Sequence, residues 1–191
     1  MARKPLAFMR NIRYNVCRKI SEEVFRMDST PLFKEDHRPA LASAAAEYSK
    51  DRSAGNHRVL MSILSRCFQD GTHLTISYEP CEDENYSRQA MVEVHGKHFL
   101  LLFIHPEDAL ETEFYRLMEV SVTSLLLSFH EQRDEVDLEG IALYTGEDTP
   151  PCFISRKDCF QLVDDVLHTY AYLGIPHSNH WRFPQKRIRE S

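Results

Sequence analysis

Glycine is scarce in this chain, with six residues in 191. Backbone approaches a cofactor phosphate closely where glycines cluster, so a phosphate-cradling loop has few places to form. No Gly-rich nucleotide fingerprint, nucleophile elbow, His-Glu-x-x-His or Cys-x-x-Cys spacing occurs. These absences lead us to expect no cofactor and no catalytic motif, and to read the chain as non-enzymatic. Long apolar runs are missing as well. The longest, residues 99 to 104, is strand-sized and far short of the ~20 residues a membrane span needs, so an integral membrane protein is not expected. Cysteine is sparse: Cys17, Cys67, Cys81, Cys152 and Cys159 are odd in number and widely spaced. With no apolar leader segment before them, they predict a reducing, cytoplasmic setting without structural disulfides.

What is present suits one folded domain. Hydrophobic residues make up 42% against 27% charged, a balance that allows a real core and excludes a wholly disordered chain. The formal net charge of -6 hides a division. Residues 1 to 26 carry seven basic and two acidic residues, residues 182 to 191 carry four and one, and residues 27 to 181 carry twelve and 26. An acidic body between basic ends repels a phosphate backbone, so nucleic acid is not an expected partner of the domain.

Three segments follow from patterning. In residues 1 to 30, Phe8, Ile12, Val16, Ile20 and Val24 recur every fourth position among basic residues, which predicts a basic amphipathic helix able to dock on its own domain or form a homodimer. Residues 31 to 176 read as an α+β domain: a mixed, partly antiparallel sheet packed against several helices. Helices are expected over residues 40 to 50 and 56 to 68, the second capped by Asn56 with Val59, Leu60, Ile63, Leu64 and Cys67 on one face. Apolar and polar residues then alternate from Thr72 to Tyr78, predicting a strand. A hairpin is expected around His95-Gly96-Lys97. Pro106 suits a helix start, residues 118 to 122 a strand, and Thr123 or Ser124 the cap of a helix reaching Phe129. Strands at residues 140 to 144 and 152 to 154 precede a last helix capped by Ser155. Residues 177 to 191 form a basic, aromatic tail around Trp181 and Phe183.

Chemistry-bearing residues are dispersed. His177 and His180, with His168, are the most ligand-like group, yet a polar tail accounts for them and no metal is expected. Glu82, Asp83 and Glu84, and the group Asp134, Glu135, Asp137 and Glu139, lack EF-hand spacing and read as solvated loops. Cys67 and Cys159 fall on apolar helix faces and read as core, while acidic neighbours blunt Cys81. A thiol enzyme would need partners for Cys17 or Cys152.

The segment Glu47-Tyr48-Ser49-Lys50-Asp51-Arg52 followed by residues 56 to 64 resembles the opening of the bacterial SseB-like family, the enhanced serine sensitivity type. The likeness continues through Gly96-Lys97-His98-Phe99-Leu100-Leu101-Leu102-Phe103 and through Leu138-Glu139-Gly140-Ile141-Ala142-Leu143-Tyr144. His105 stands where that family often has Thr or Ser, and Tyr144-Thr145 where Asn-Pro is usual. The resemblance spans residues 31 to 173 and implies an α+β domain of non-enzymatic character, with no catalytic residue to carry over.

The leading expectation is a cytosolic binding or regulatory module for a protein partner, a basic one included, or a small ligand. Its pocket is expected between Tyr78, Phe99, Phe103 and Tyr144. A second reading is an acidic immunity protein whose Glu82, Asp83 and Glu84 mask a basic toxin or nuclease. A third is a thiol- or His-dependent enzyme.

Overall fold

The computed structural model describes residues 12–18, 36–80, 86–109, 116–132, 137–146 and 149–173. Within them the order is β1 (Ile12–Arg18), α1 (Arg38–Lys50), α2 (Ala54–Asp70), β2 (His73–Pro80), β3 (Tyr86–Val94), β4 (Lys97–Phe103), a 3-10 turn at Pro106–Asp108, β5 (Arg116–Ser121), α3 (Val122–Glu131), β6 (Gly140–Tyr144), β7 (Cys152–Ser155) and α4 (Arg156–Tyr172). The fold is α+β, as the sequence predicts.

Pro39 sits in the first turn of α1, where its missing N–H removes nothing the helix needs. The cap of α2 is Ser53, whose hydroxyl accepts the Asn56 N–H at 3.3 Å, and not Asn56 itself. Asn56 Nδ2 instead donates to the Asp51 carbonyl at 3.0 Å. Gly71 (φ +65) ends the helix in the left-handed region, which costs a glycine little. His37 Nε2 and Asp70 Oδ2 lie 2.6 Å apart, so the start of α1 meets the end of α2 and the two helices run antiparallel.

The seven strands form one mixed sheet in the order β1-β3-β2-β4-β6-β7, with β5 on β2 and a further β3–β4 pairing. Only β4 and β6 are parallel; every other pair is antiparallel. The β3–β4 hairpin turns through His95 (φ +53) and Gly96 (φ +76), since two successive positive φ values match the twist of the flanking strands. The expected helix at Pro106 is a single 3-10 turn of three residues. The helix after β5 is capped by Ser121, whose hydroxyl accepts the Ser124 N–H at 3.0 Å, two to three residues earlier than the Thr123 or Ser124 cap expected from the sequence.

Alternation along the strands divides the interior in two. Leu74, Ile76, Leu100, Leu102, Ile141, Leu143, Cys152 and Ile154 join Leu60, Leu64, Leu126, Leu162 and Val163 from the helices in the main core. Their neighbours in sequence, Val92, Leu101, Phe103, Ala142 and Tyr144, form a smaller cluster on the other face. Each fully buried Leu or Phe contributes about 1.5–3 kcal/mol. Val59, placed on the inward face of α2 by spacing, is 54% exposed, and Leu60, Leu64, Cys67 and Phe68 are the residues that face the core.

The N-terminal helix is corrected over seven residues. Ile12–Arg18 is a strand, paired antiparallel with β3 from Ile12↔Val92 to Arg18↔Tyr86. Every fourth residue being apolar also satisfies a period of two, and Ile12, Tyr14 and Val16 are β-branched or aromatic. An open edge on β3 decides between the readings by supplying ladder hydrogen bonds. These residues therefore offer no helical face to a second copy. The rest of residues 1–30 and the tail at 177–191 lie outside the described residues.

Candidate functional site

A cavity of about 290 Å³ opens where the start of α1, the end of α2, the start of β2 and β5 converge, lined by Asp36, Arg38, Asp70, Gly71, Thr72, His73 and Glu119. Local rules position each side chain. Thr72 follows the left-handed Gly71, and its N–H returns to the Cys67 carbonyl at 2.9 Å. The Thr72 carbonyl accepts Val122 N–H at 2.8 Å, and the Thr123 hydroxyl donates to the Phe68 carbonyl, so the end of α2 is tied to the start of α3. The β2–β5 ladder then sets Glu119 opposite Thr75 and Ser121 opposite His73.

Charge at this junction runs against the helix dipoles. The amino end of a helix favours anions and the carboxyl end cations. Here α1 begins with Arg38 and has no acid in its first turn, while α2 ends with Asp70 and has no base in its last. Each misplaced charge has a neighbour. Arg38 Nε and Nη2 donate to both Asp36 carboxylate oxygens at 2.9 to 3.2 Å. That pairing holds the Asp36 carboxyl below its usual range and raises the Arg38 guanidinium. Asp70 has His37, whose ring is buried although Asp70 is half exposed. The lining thus has three carboxylates and one guanidinium, a formal excess of two negative charges with the histidines neutral. Burial, and then the charge of Asp70, pushes the Tyr170 hydroxyl up.

The aromatic residues expected to line a pocket are split between surroundings. Register sets Thr75 opposite Phe103, so Tyr78, three residues on in β2, points to the other side of the sheet. Phe103 and Tyr144 meet edge to face at 5.4 Å and are buried to 2% and 4% exposure. Phe99 is half-buried against Phe153 at 5.0 Å. Phe103 and Tyr144 are therefore core. Glu82, Asp83 and Glu84 lie outside the described residues, as do Asp134, Glu135, His177 and His180.

One serine, carboxylate and imidazole do come together. Ser155 caps α4 by accepting the Asp158 N–H at 3.1 Å, and its hydroxyl lies 2.6 Å from Asp158 Oδ2. His57 Nε2 is 3.6 Å from that same oxygen. The order is Ser–Asp–His, whereas base-assisted attack needs the imidazole between hydroxyl and carboxylate. The arrangement is a helix cap with a neighbouring ion pair.

The thiols of Cys67, Cys152 and Cys159 are buried. Desolvation pushes Cys152 and Cys67 to about 11 and Cys159 to about 12, leaving all three protonated at neutral pH. Near Cys152 the hydroxyl of Ser49 and the charge of Arg52 pull the other way and are outweighed. Among the described residues no group of three His, Cys, Asp or Glu side chains is arranged to hold a metal ion.

The cavity is not legible in the sequence. Its lining comes from four elements separated by up to 83 positions, and no local motif joins Asp36 to Glu119. The available signal was Asp70 beside a helix-ending glycine, an acid at the end of a helix that prefers a base. Among the described residues no helix is long and apolar enough to cross a membrane. Comparison with protein-family models, curated proteins and solved structures finds no match to this chain.

Proposed function

We propose that this chain is a binding module that recognises a small ligand or one side chain of a protein partner in the cavity between Asp36, Arg38, Asp70, His73 and Glu119. The observation that carries this reading is the charge at the two helix ends. Arg38 and Asp70 each sit where a helix disfavours them, a local conflict of the kind that collects at functional sites. The volume, about 290 Å³, lies just below the range for ligand pockets, roughly 300–1,000 Å³, and suits a small group.

A non-catalytic role draws support from the burial of Cys67, Cys152 and Cys159 and from the Ser155–Asp158–His57 order. The three free thiols support a reducing, cytosolic setting. The likeness to SseB-like domains favours the same reading, since that family implies a non-enzymatic α+β domain.

The test is a thermal-shift screen of the full chain against small cations, anions, neutral metabolites and short peptides, repeated on His73→Trp. His73 is exposed at the cavity wall, so the larger ring fills space without disturbing the core. At least one compound is expected to raise the melting temperature of the parent chain and to lose that effect in the variant. A panel in which no shift depends on the cavity overturns the proposal.

A further inference from the structure

We infer that this chain forms a symmetric homodimer through the free edge of β5. A strand at the edge of a sheet presents N–H and C=O groups with which another strand can pair. Among the described residues β5 pairs with β2 alone, so its other side is such an edge. The ladder fixes the direction of each backbone group. Val122 N–H donates to the Thr72 carbonyl at 2.8 Å, which makes these two a hydrogen-bonded pair in the β2–β5 register. Hydrogen-bonded and non-hydrogen-bonded pairs alternate along an antiparallel ladder. Arg116, Met118 and Val120 therefore turn their backbone groups towards β2, and Leu117 and Glu119 turn theirs outwards. The same alternation turns Thr75 away from β5, and Thr75 is where β2 meets β4, at Phe103.

This edge lacks the devices that keep strands from pairing. β5 holds neither proline nor lysine, and its register with β2 runs unbroken from His73↔Ser121 to Tyr78↔Arg116, with no bulge. The occupant it fits is a second copy of itself. Two β5 strands related by a twofold axis run antiparallel, and one register sets Leu117 opposite the partner's Glu119 and Glu119 opposite the partner's Leu117. All the outward backbone groups of Leu117 and Glu119 are then paired. In that register Met118 lies opposite the partner's Met118 and Arg116 opposite the partner's Val120, so no like charges face each other. Met118 is half-buried against the main core, and the seam joins the cores of the two copies. A twofold pairing closes on itself and leaves no β5 edge for a third copy.

Analytical ultracentrifugation of the full chain tests this, and the parent is expected to show a concentration-dependent mass that reaches two chains. Leu117→Pro removes an outward N–H and leaves the ladder to β2 intact, as proline does on an edge strand. By symmetry it deletes half of the hydrogen bonds across the seam, and it is expected to weaken the dimer at least about tenfold relative to Leu117→Ala, which keeps the N–H. Where Leu117→Pro fails to fold, Met118→Cys decides. Met118 and the partner's Met118 form a non-hydrogen-bonded pair, whose Cα atoms lie about 4.5 Å apart and within disulfide reach. Mild oxidation of Met118→Cys is therefore expected to give a two-chain species linked between the two positions 118. A single-chain mass at every concentration, a dimer equally tight in Leu117→Pro and Leu117→Ala, or a dimer with no link between the two positions 118 overturns the inference.

Discussion

Gly140 illustrates how one residue can carry a constraint that its neighbours hide. Its φ is +151°, and a β-carbon built there would lie 2.0 Å from the Ile154 carbonyl oxygen of the adjacent strand. Neither backbone can retreat, because β6 pairs with β4 on one side and with β7 on the other. Gly140→Ala is therefore expected to cost at least about 3 kcal/mol. The measurement is the urea midpoint, which should fall with little change in slope; a midpoint within error of the parent would refute the clash. Ser155 carries a smaller contribution. Ser155→Ala is expected to destabilise by about 1 kcal/mol, with Ser155→Thr recovering most of it, as for other helix caps. Ser155 was identifiable from sequence because capping is a local hydrogen bond. Gly140 was visible there only as a glycine in a resembling motif, since the atom it avoids lies fourteen residues away.

Among the elements, helices α1, α2 and α4 and strands β2 to β7 follow from periodicity and turn chemistry close to where they form. The exceptions each have their own cause. Ile12–Arg18 can read as either period, and the edge of β3 makes it a strand. Pro106 begins a helical turn that ends after three residues, because Ala109 has extended backbone. Asn56 has the residue type of a cap, yet Ser53 holds the extended backbone that a cap requires. Removing residues 1 to 18 should expose the β3 edge to another copy of the chain. We expect size-exclusion chromatography of the truncated chain to show a larger, concentration-dependent species; an unchanged profile would argue that the β3 edge is protected in another way.

For the whole molecule, the buried thiols set a pH limit. An unfolded cysteine ionises near 9.0, whereas folded Cys67 and Cys152 hold their protons to about 11 and Cys159 to about 12. Above about 9 the unfolded state therefore gains by ionising and the folded state does not, so stability declines from pH 9 towards 12 and is unaffected by these groups below that window. Urea titrations across this range should follow that decline, and replacing Cys159 by alanine should flatten it; an equally steep decline in Cys159→Ala would assign it to other groups. By itself, the sequence determined the α+β class, the helix and strand periods, the hairpin turn at His95-Gly96 and the acidic body between basic ends. These depend on contacts between residues close in the chain, or on composition alone. Only the tertiary structure decided which aromatic residues became core, which edge captured Ile12–Arg18, and that Asp36, Asp70 and Glu119 share one cavity. Those outcomes depend on strand register and helix packing, which join distant residues through the burial of surfaces that no short segment contains.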